Sequence, residues 1–143
     1  MNSCYLSVVS VLVLALGALV TPVSAEDKEP PLFKWRKVEI AKIDIGYGVQ
    51  LTDVDGDKKI DIVLCDKKTI QWYQNPSWEK HIIARDLTKR DNVCVTARDI
   101  DGDGKCEIAV GGQWNFSETR KDGAVFYLIP PKDRTQMWTP VKL

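Results

Sequence analysis

The sequence predicts an all-β protein built from two copies of a module of four short antiparallel strands. Beyond residue 25, apolar residues fall in runs of four to seven that are rich in Val, Ile and aromatic side chains, which is typical of strands. In the same part of the chain, no window of 12 or more residues carries an apolar stripe with helical spacing. The acidic stretch "LTDVDGDKKIDIVL" returns 46 residues later as "ARDIDGDGKCEIAV", which indicates an internal repeat.

The first 25 residues form a separate segment. They contain no charged side chain, they include an apolar run of 16 residues from Tyr5 to Val20, and they end in the small-residue triplet "VSA". This layout predicts a signal peptide, residues 1–25, cleaved after Ala25, and hence a secreted, periplasmic or cell-surface protein. The alternative is an uncleaved membrane anchor, although a membrane span needs about 20 apolar residues. Residues 26–34 are polar or contain proline, and we interpret them as a linker.

Charge and cysteine content narrow the classes of partner and fold. The sequence has 20 basic and 20 acidic residues, all beyond residue 25, and no basic patch that would favour nucleic acid as a partner. Three cysteines follow the predicted cleavage site: Cys65, Cys94 and Cys106. Because three are too few for a disulfide scaffold, we interpret them as small apolar strand residues, and their disulfide state stays open.

The repeated module can be followed through its strands. In each copy one strand leads into the acidic stretch, one leads out of it, a third contains "TIQWY" or "AVFYLI", and a fourth begins at Trp78 or Trp138. An earlier tryptophan, Trp35, heads a similar stretch, and we expect a strand within "KVEIAKIDIG", residues 37–46. Since four strands in about 45 residues are typical of a β-propeller blade, residues 35–143 are predicted to form two blades.

Two acidic loops, residues 53–61 and 99–107, share one spacing of carboxylates. Counted from the first aspartate, acidic side chains stand at positions 1, 3, 5 and 9 of both loops. Alternate side chains of a tight loop can turn toward one point, and Ca²⁺ prefers six to eight oxygen ligands, including a backbone carbonyl at position 7 of such loops. Without a cation, each pair of carboxylates at ~4 Å costs about 1 kcal/mol even in water. We therefore predict a metal site in each loop, and the alternative is a pair of Asp-Gly turns with solvated charges.

A helix-loop-helix calcium site matches the two loops poorly. Such a loop has an acidic residue at position 12 and a helix after it, whereas position 12 is Leu64 in the first loop and Val110 in the second. The residues after position 9, "IVLC" and "IAVGG", favour strands instead. A dockerin-like scaffold adaptor, which would need helices after the loops, is therefore the weakest of the functions considered.

The pattern D-x-D-G-D-x-x-x-[DE]-[IL]-x-[VL], followed by "IQWYQNP" and "WEKHIIA", resembles the FG-GAP/VCBS-type repeats of integrin-α-like β-propellers. The resemblance extends over roughly residues 35–143. It implies up to two structural Ca²⁺ ions, one in the loop between the first two strands of each blade. The ligands that it implies are the carboxylates of Asp53, Asp55, Asp57 and Asp61 with the carbonyl of Lys59, and the carboxylates of Asp99, Asp101, Asp103 and Glu107 with the carbonyl of Lys105.

The two loops differ at position 6. The repeats that they resemble usually carry glycine there, because the bend favours a positive φ. Gly104 fits this requirement, whereas Lys58 costs roughly 1–2 kcal/mol in the left-handed region and adds a positive charge. We therefore predict that the second loop binds calcium more tightly than the first.

We expect an exported, non-catalytic protein that serves adhesion or recognition of a protein or carbohydrate ligand. The alternative is a fragment or subunit of a propeller enzyme that acts on carbohydrates, although the lone His81 has no nucleophile beside it in the sequence. Propellers usually have four to eight blades, so two blades predict a partial propeller that is truncated, self-associates or pairs with further blades. An insertion at residues 113–124, which contains Trp114, has no counterpart in the first module, and its role is open.

Overall fold

The computed structural model describes residues 33–118, 120–121 and 123–143. The predicted signal peptide, residues 1–25, and most of the predicted linker, residues 26–34, lie outside the described residues. In the described part of the chain, no helix has the length and apolarity needed to cross a membrane.

Within the described residues, eight strands form two four-stranded antiparallel sheets, and in each sheet neighbouring strands are consecutive in the sequence. Sheet 1 comprises β1 (Gly48–Thr52), β2 (Asp61–Cys65), β3 (Thr69–Gln74) and β4 (Glu79–Arg85). Sheet 2 comprises β5 (Cys94–Arg98), β6 (Glu107–Gly112), β7 (Ala124–Ile129) and β8 (Thr139–Lys142). The prediction of two blade-like sheets with one acidic loop between the first two strands of each is confirmed.

The strand expected in residues 37–46 is absent, and this expectation was wrong. A strand needs a hydrogen-bonding partner, but β1 is an edge strand that pairs only with β2. The backbone amides of Asp44, Ile45 and Gly46 donate instead to the carboxylate of Asp66, at 2.8, 2.8 and 3.1 Å. A side chain thus satisfies the polar groups that the alternating sequence pattern assigned to a sheet.

One hydrophobic core joins the two sheets. Sheet 1 contributes Val63, Ile70, Trp72 and Ile83, and sheet 2 contributes Val95, Ile108, Val110, Phe126 and Leu128. The register explains this grouping, because Val63 pairs with Trp72 on one face of sheet 1 and Ile108 pairs with Leu128 on one face of sheet 2. The first strands of the two sheets lie against each other, and a Cβ at Gly48 would stand 3.5 Å from Val95 Cγ1. The acidic loops that follow β1 and β5 are therefore brought side by side.

The recurring tryptophans have different environments. Trp138 is buried, and its backbone amide donates to the carbonyl of Ile83 at 2.8 Å, which ties the start of β8 to β4. Trp72 is also fully buried, as expected for a structural residue. Trp78 is only partly buried, and Trp35 is 91% exposed, so the equivalence predicted for Trp35 was wrong. Trp35 heads no strand.

All three described cysteines are free thiols. Cys65 and Cys106 are buried, and burial raises the pKa of the Cys65 thiol to about 12 and that of the Cys106 thiol to about 11. Cys94 is exposed at the start of β5. The interpretation as small apolar strand residues fits Cys65, which lies in β2 and packs in the core. Cys106 also packs in the core but lies just before β6, and the exposed Cys94 lies in a strand without being buried.

Candidate metal centre

Each acidic loop is organised by its own carboxylates. In the first loop Asp53 accepts hydrogen bonds from the amides of Gly56 and Lys58 at 2.7 Å, and Asp55 accepts one from the amide of Asp57 at 3.0 Å. The amide of Lys59 donates to Asp57 Oδ1 at 2.8 Å. These bonds hold the chain in a tight loop, as expected for aspartates that accept from backbone amides two to five residues ahead.

The second loop repeats these bonds position by position. Asp99 accepts from the amides of Gly102 and Gly104 at 2.7 and 2.9 Å, and Asp101 accepts from that of Asp103 at 3.0 Å. The amide of Lys105 donates to Asp103 Oδ1 at 2.8 Å. The predicted repeat therefore extends from sequence to the hydrogen-bonding pattern of the loops.

Positions 4 and 6 of both loops lie in the left-handed region. The φ angles are 86° at Gly56 and 84° at both Gly102 and Gly104, whereas Lys58 has a φ of 67°. The expectation that position 6 has a positive φ is thus confirmed, and Lys58 places a side chain where this backbone conformation favours glycine. The first loop carries this backbone strain and the second loop does not.

Replacing Lys58 by glycine is expected to stabilise the protein by about 0.5–1 kcal/mol, since the strain relieved exceeds the added flexibility of the unfolded chain. Calcium should bind the first loop a few-fold more tightly as well, because an ammonium group is removed. Urea unfolding and calorimetric titration measure the two effects. Lys58→Met is the matched control that removes the charge and keeps the strain, and Gly104→Lys should reverse both effects in the second loop. Equal stability of Lys58→Gly and Lys58→Met would contradict the strain argument.

Three acidic side chains converge in each loop. Carboxylate oxygens of Asp53, Asp55 and Asp57 lie within 4.8 Å of one another. In the second loop, carboxylate oxygens of Asp99, Asp101 and Glu107 do the same. Only oxygen donors converge in these two groups, and this donor set suits a hard divalent cation such as Ca²⁺.

Position 9 differs between the loops. Asp61 is fully buried, and its two oxygens accept the amides of Val54 and Asn75, both at 2.9 Å. Burial raises the pKa of Asp61 in spite of these bonds. Glu107 has one methylene more and reaches its cluster, while its Oε2 accepts the amide of Ile100 at 3.0 Å. Asp61 lies outside the converging group of the first loop, so the predicted ligands at position 9 have unequal surroundings.

Other predicted ligands form ion pairs with lysines of their own loops. Asp103 Oδ2 is 3.6 Å from the ammonium of Lys105, outside the converging group of the second loop. The ammonium of Lys59 donates to Asp57 at 2.6 Å, and this bond lowers the pKa of Asp57. The ligand roles of Asp61 and Asp103, and of the Lys59 and Lys105 carbonyls, stay predictions.

Two residues at the loops were not found from the sequence. Gln74, at the end of β3, donates its side-chain amide to Asp55 Oδ2 at 2.6 Å. Arg134, before β8, places its guanidinium 3.8 Å from Glu107 Oε1. Both are distant from the loops in the sequence. Gln74 lies in the "IQWYQNP" stretch of the repeat and Arg134 lies in none of the quoted motifs, and neither position by itself indicates a contact with a loop.

Comparison with known families supports the repeat assignment. The family model for the FG-GAP-like repeat matches residues 53–110, a segment that begins at the first acidic loop and ends just after the second. No significant match was found among curated proteins or among solved structures. The matched segment, with both acidic loops and the strands between them, is similar to the FG-GAP-like repeat.

Proposed function

We propose that this chain is an exported, non-catalytic calcium-binding repeat protein that serves adhesion or recognition. The observation that carries the proposal is the convergence of three carboxylates in each loop of a matched FG-GAP-like segment. The first loop holds four carboxylates and two lysines, and the second holds four carboxylates and one lysine. Because the net charges of the loops are −2 and −3, a divalent cation neutralises them better than a monovalent cation does.

The bound ion would be structural. In the first loop Asp53, Asp55 and Asp57 would hold it, and in the second loop Asp99, Asp101 and Glu107 would hold it. The ion would supply positive charge that removes the repulsion among these carboxylates. Because the folded loops bind it and the unfolded chain does not preorganise the ligands, calcium would stabilise the fold by mass action.

Calorimetric titration of the full chain with calcium tests this proposal. Two ions are expected per chain, with Asp99→Ala removing the tighter site and Asp53→Ala the weaker one. Asp44→Ala is the matched control, since its exposed carboxylate lies outside both loops. Absence of binding at millimolar calcium, or unchanged binding in both loop variants, would refute the proposal.

The recognition part of the proposal is supported by an aromatic patch, defined as Tyr47, Trp114 and Phe116. The ring centroids of Tyr47 and Trp114 are 6.4 Å apart, and those of Trp114 and Phe116 are 6.3 Å apart. Trp114 is 46% exposed and Phe116 is 81% exposed. Exposed aromatic rings on loops offer flat apolar faces to sugar rings or protein side chains. This patch is the surface where we propose that a ligand binds.

An open sheet face supports pairing with a further blade. The repeat register equates Val125 and Tyr127 of sheet 2 with Ile70 and Trp72 of sheet 1. Sheet 1 buries this face against sheet 2, whereas Val125 is exposed and Tyr127 only partly buried on the outer face of sheet 2. A blade from a second copy or from another chain would cover the outer face of sheet 2 as sheet 2 covers the equivalent face of sheet 1. Sedimentation velocity tests association between copies, and a monomer at all accessible concentrations would contradict it.

A further inference from the structure

The two acidic loops are joined by one buried peptide group. Cys106 precedes the position-9 residue of the second loop and is fully buried. Its amide donates to the backbone carbonyl of Asp53, the first residue of the first loop, at 3.1 Å. Any change in the orientation of this peptide therefore acts on both loops.

The guanidinium of Arg134 also contacts both acidic loops. Its Nη1 donates to the carbonyl of Val54 at 3.1 Å and to the carbonyl of Cys106 at 2.6 Å. Its Nη2 lies 3.8 Å from Glu107 Oε1, an oxygen of a side chain in the second carboxylate cluster. One planar group thus contacts the second residue of the first loop and the last two residues of the second loop.

Arg134 is itself held in place. Its side chain is 10% exposed, and its guanidinium carbon lies 5.1 Å from the ring centroid of the buried Trp138. The indole Nε1 of Trp138 donates to the carbonyl of Arg134 at 3.1 Å. Because stacking and several hydrogen bonds fix the guanidinium, a movement of one loop that displaces it also changes its contacts with the other loop.

We infer that the two loops bind cations cooperatively and that Arg134 is the positioning residue that couples them. The inference rests on the proposed calcium binding. An ion in the second loop would fix Glu107, and with it the Cys106 peptide and the guanidinium. The carbonyls of Asp53 and Val54 would then already be held in place when another ion binds the first loop. Binding there would therefore cost less conformational entropy.

Repulsion between the two ions opposes this coupling only weakly. The first loop has a net charge of −2 and the second a net charge of −3, so one dication leaves each of them neutral or still negative. The ordering effect is therefore expected to dominate.

A double-mutant cycle on the calcium affinity of the first loop tests the inference. Asp99→Asn disables the second loop, and Arg134→Met removes the guanidinium but keeps the aliphatic stem. Calorimetry on the full chain compares wild type, both single variants and the double variant. With Arg134 present, Asp99→Asn should weaken binding at the first loop by about fivefold or more, a usual coupling between sites. In the Arg134→Met background the same change should weaken it by less than about twofold.

Controls separate geometry from charge and from misfolding. Lys132→Met removes a cation from the exposed neighbouring position and should leave the coupling intact. Arg134→Lys keeps the positive charge but removes the planar set of N–H donors, and it should also lower the coupling to less than about twofold. Amide hydrogen exchange provides a test in which Arg134 is left intact. In the Asp99→Asn variant, calcium bound to the first loop should slow exchange of the Cys106 amide about fivefold or more.

The outcomes distinguish this inference from the proposed function. An equal effect of Asp99→Asn in the presence and absence of Arg134 would overturn the coupling, even if two ions bind. Full coupling in Arg134→Lys, or unchanged exchange at Cys106, would overturn it as well. Absence of calcium binding in the wild type would overturn the proposed function and the coupling together.

Discussion

Replacement of Asp66 by alanine is expected to lower the free energy of unfolding by about 3–5 kcal/mol, since it removes the acceptor of several charge-assisted hydrogen bonds. Asp66 is 5% exposed and accepts the amides of Asp44, Ile45, Gly46 and Lys67 at 2.8–3.1 Å. Without the carboxylate these donors lose their partner, and the segment before β1 loses its attachment to sheet 1. Urea unfolding of the variant and the wild type measures the loss.

The same carboxylate predicts a pH dependence. Burial raises the pKa of Asp66, but the four backbone hydrogen bonds together outweigh it and hold the pKa below its ordinary value of 3.8. A folded-state pKa below the unfolded one means that the unfolded state binds more protons in acid. The stabilisation by Asp66 is therefore fully present above the unfolded pKa, and it is lost as the pH falls through the folded pKa.

Asp44→Asn is the matched control for Asp66. It removes a carboxylate from the same segment, but the Asp44 side chain is exposed, so a loss below about 0.5 kcal/mol is expected. The stability difference between wild type and Asp66→Asn should shrink as the pH falls below 4. A loss below about 1 kcal/mol in Asp66→Ala, within the range of ordinary substitutions, would contradict the anchoring role.

Replacement of Trp72 by alanine is expected to cost about 3–5 kcal/mol, the usual range for removing a large aromatic side chain from a core. Trp72 is fully buried between the sheets, and its ring centroid lies 4.7 Å from that of His81. Its removal would leave a cavity at the contact between the two blades. The shift of the urea midpoint at constant slope measures the cost.

Trp72→Phe is the informative companion variant. The indole Nε1 of Trp72 is buried and has no hydrogen-bond partner among the described residues, so phenylalanine keeps a ring and removes an unsatisfied donor. We expect a loss of at most about 1.5 kcal/mol, as for a substitution that keeps most of the apolar volume. Equal losses in the alanine and phenylalanine variants would show that the ring itself does not support the core.

The repeat was sufficient to predict most of the fold. Once "DVDGDKKIDIVL" and "DIDGDGKCEIAV" were aligned, each strand of one sheet had a counterpart in the other, because the strands of both modules pair in the same order. The segment 37–46 alternates as well, and yet it forms no strand. Alternation predicts which face of a strand is apolar, but it does not state whether a neighbouring strand is present to pair with it.

The loops could be predicted from the sequence because their geometry is local. Asp53 and Asp99 accept hydrogen bonds from amides no more than five residues away, so their spacing was sufficient to predict a tight loop. The contacts of Gln74 and Arg134 depend on how the strands and sheets are packed, and no local pattern contains that information. The unequal burial at position 9 is likewise a property of packing, which encloses Asp61 in the core.

Anomalous diffraction from crystals of the full chain grown with calcium or terbium is the most direct test of calcium binding by the two acidic loops. We expect two peaks, one bounded by Asp53, Asp55 and Asp57 and one by Asp99, Asp101 and Glu107, with metal–oxygen distances of about 2.3–2.6 Å for calcium. The second peak should be the stronger at limiting metal. Absence of a peak in both loops at millimolar metal, or peaks only elsewhere on the surface, would contradict calcium binding by the loops and leave them as turns with solvated charges.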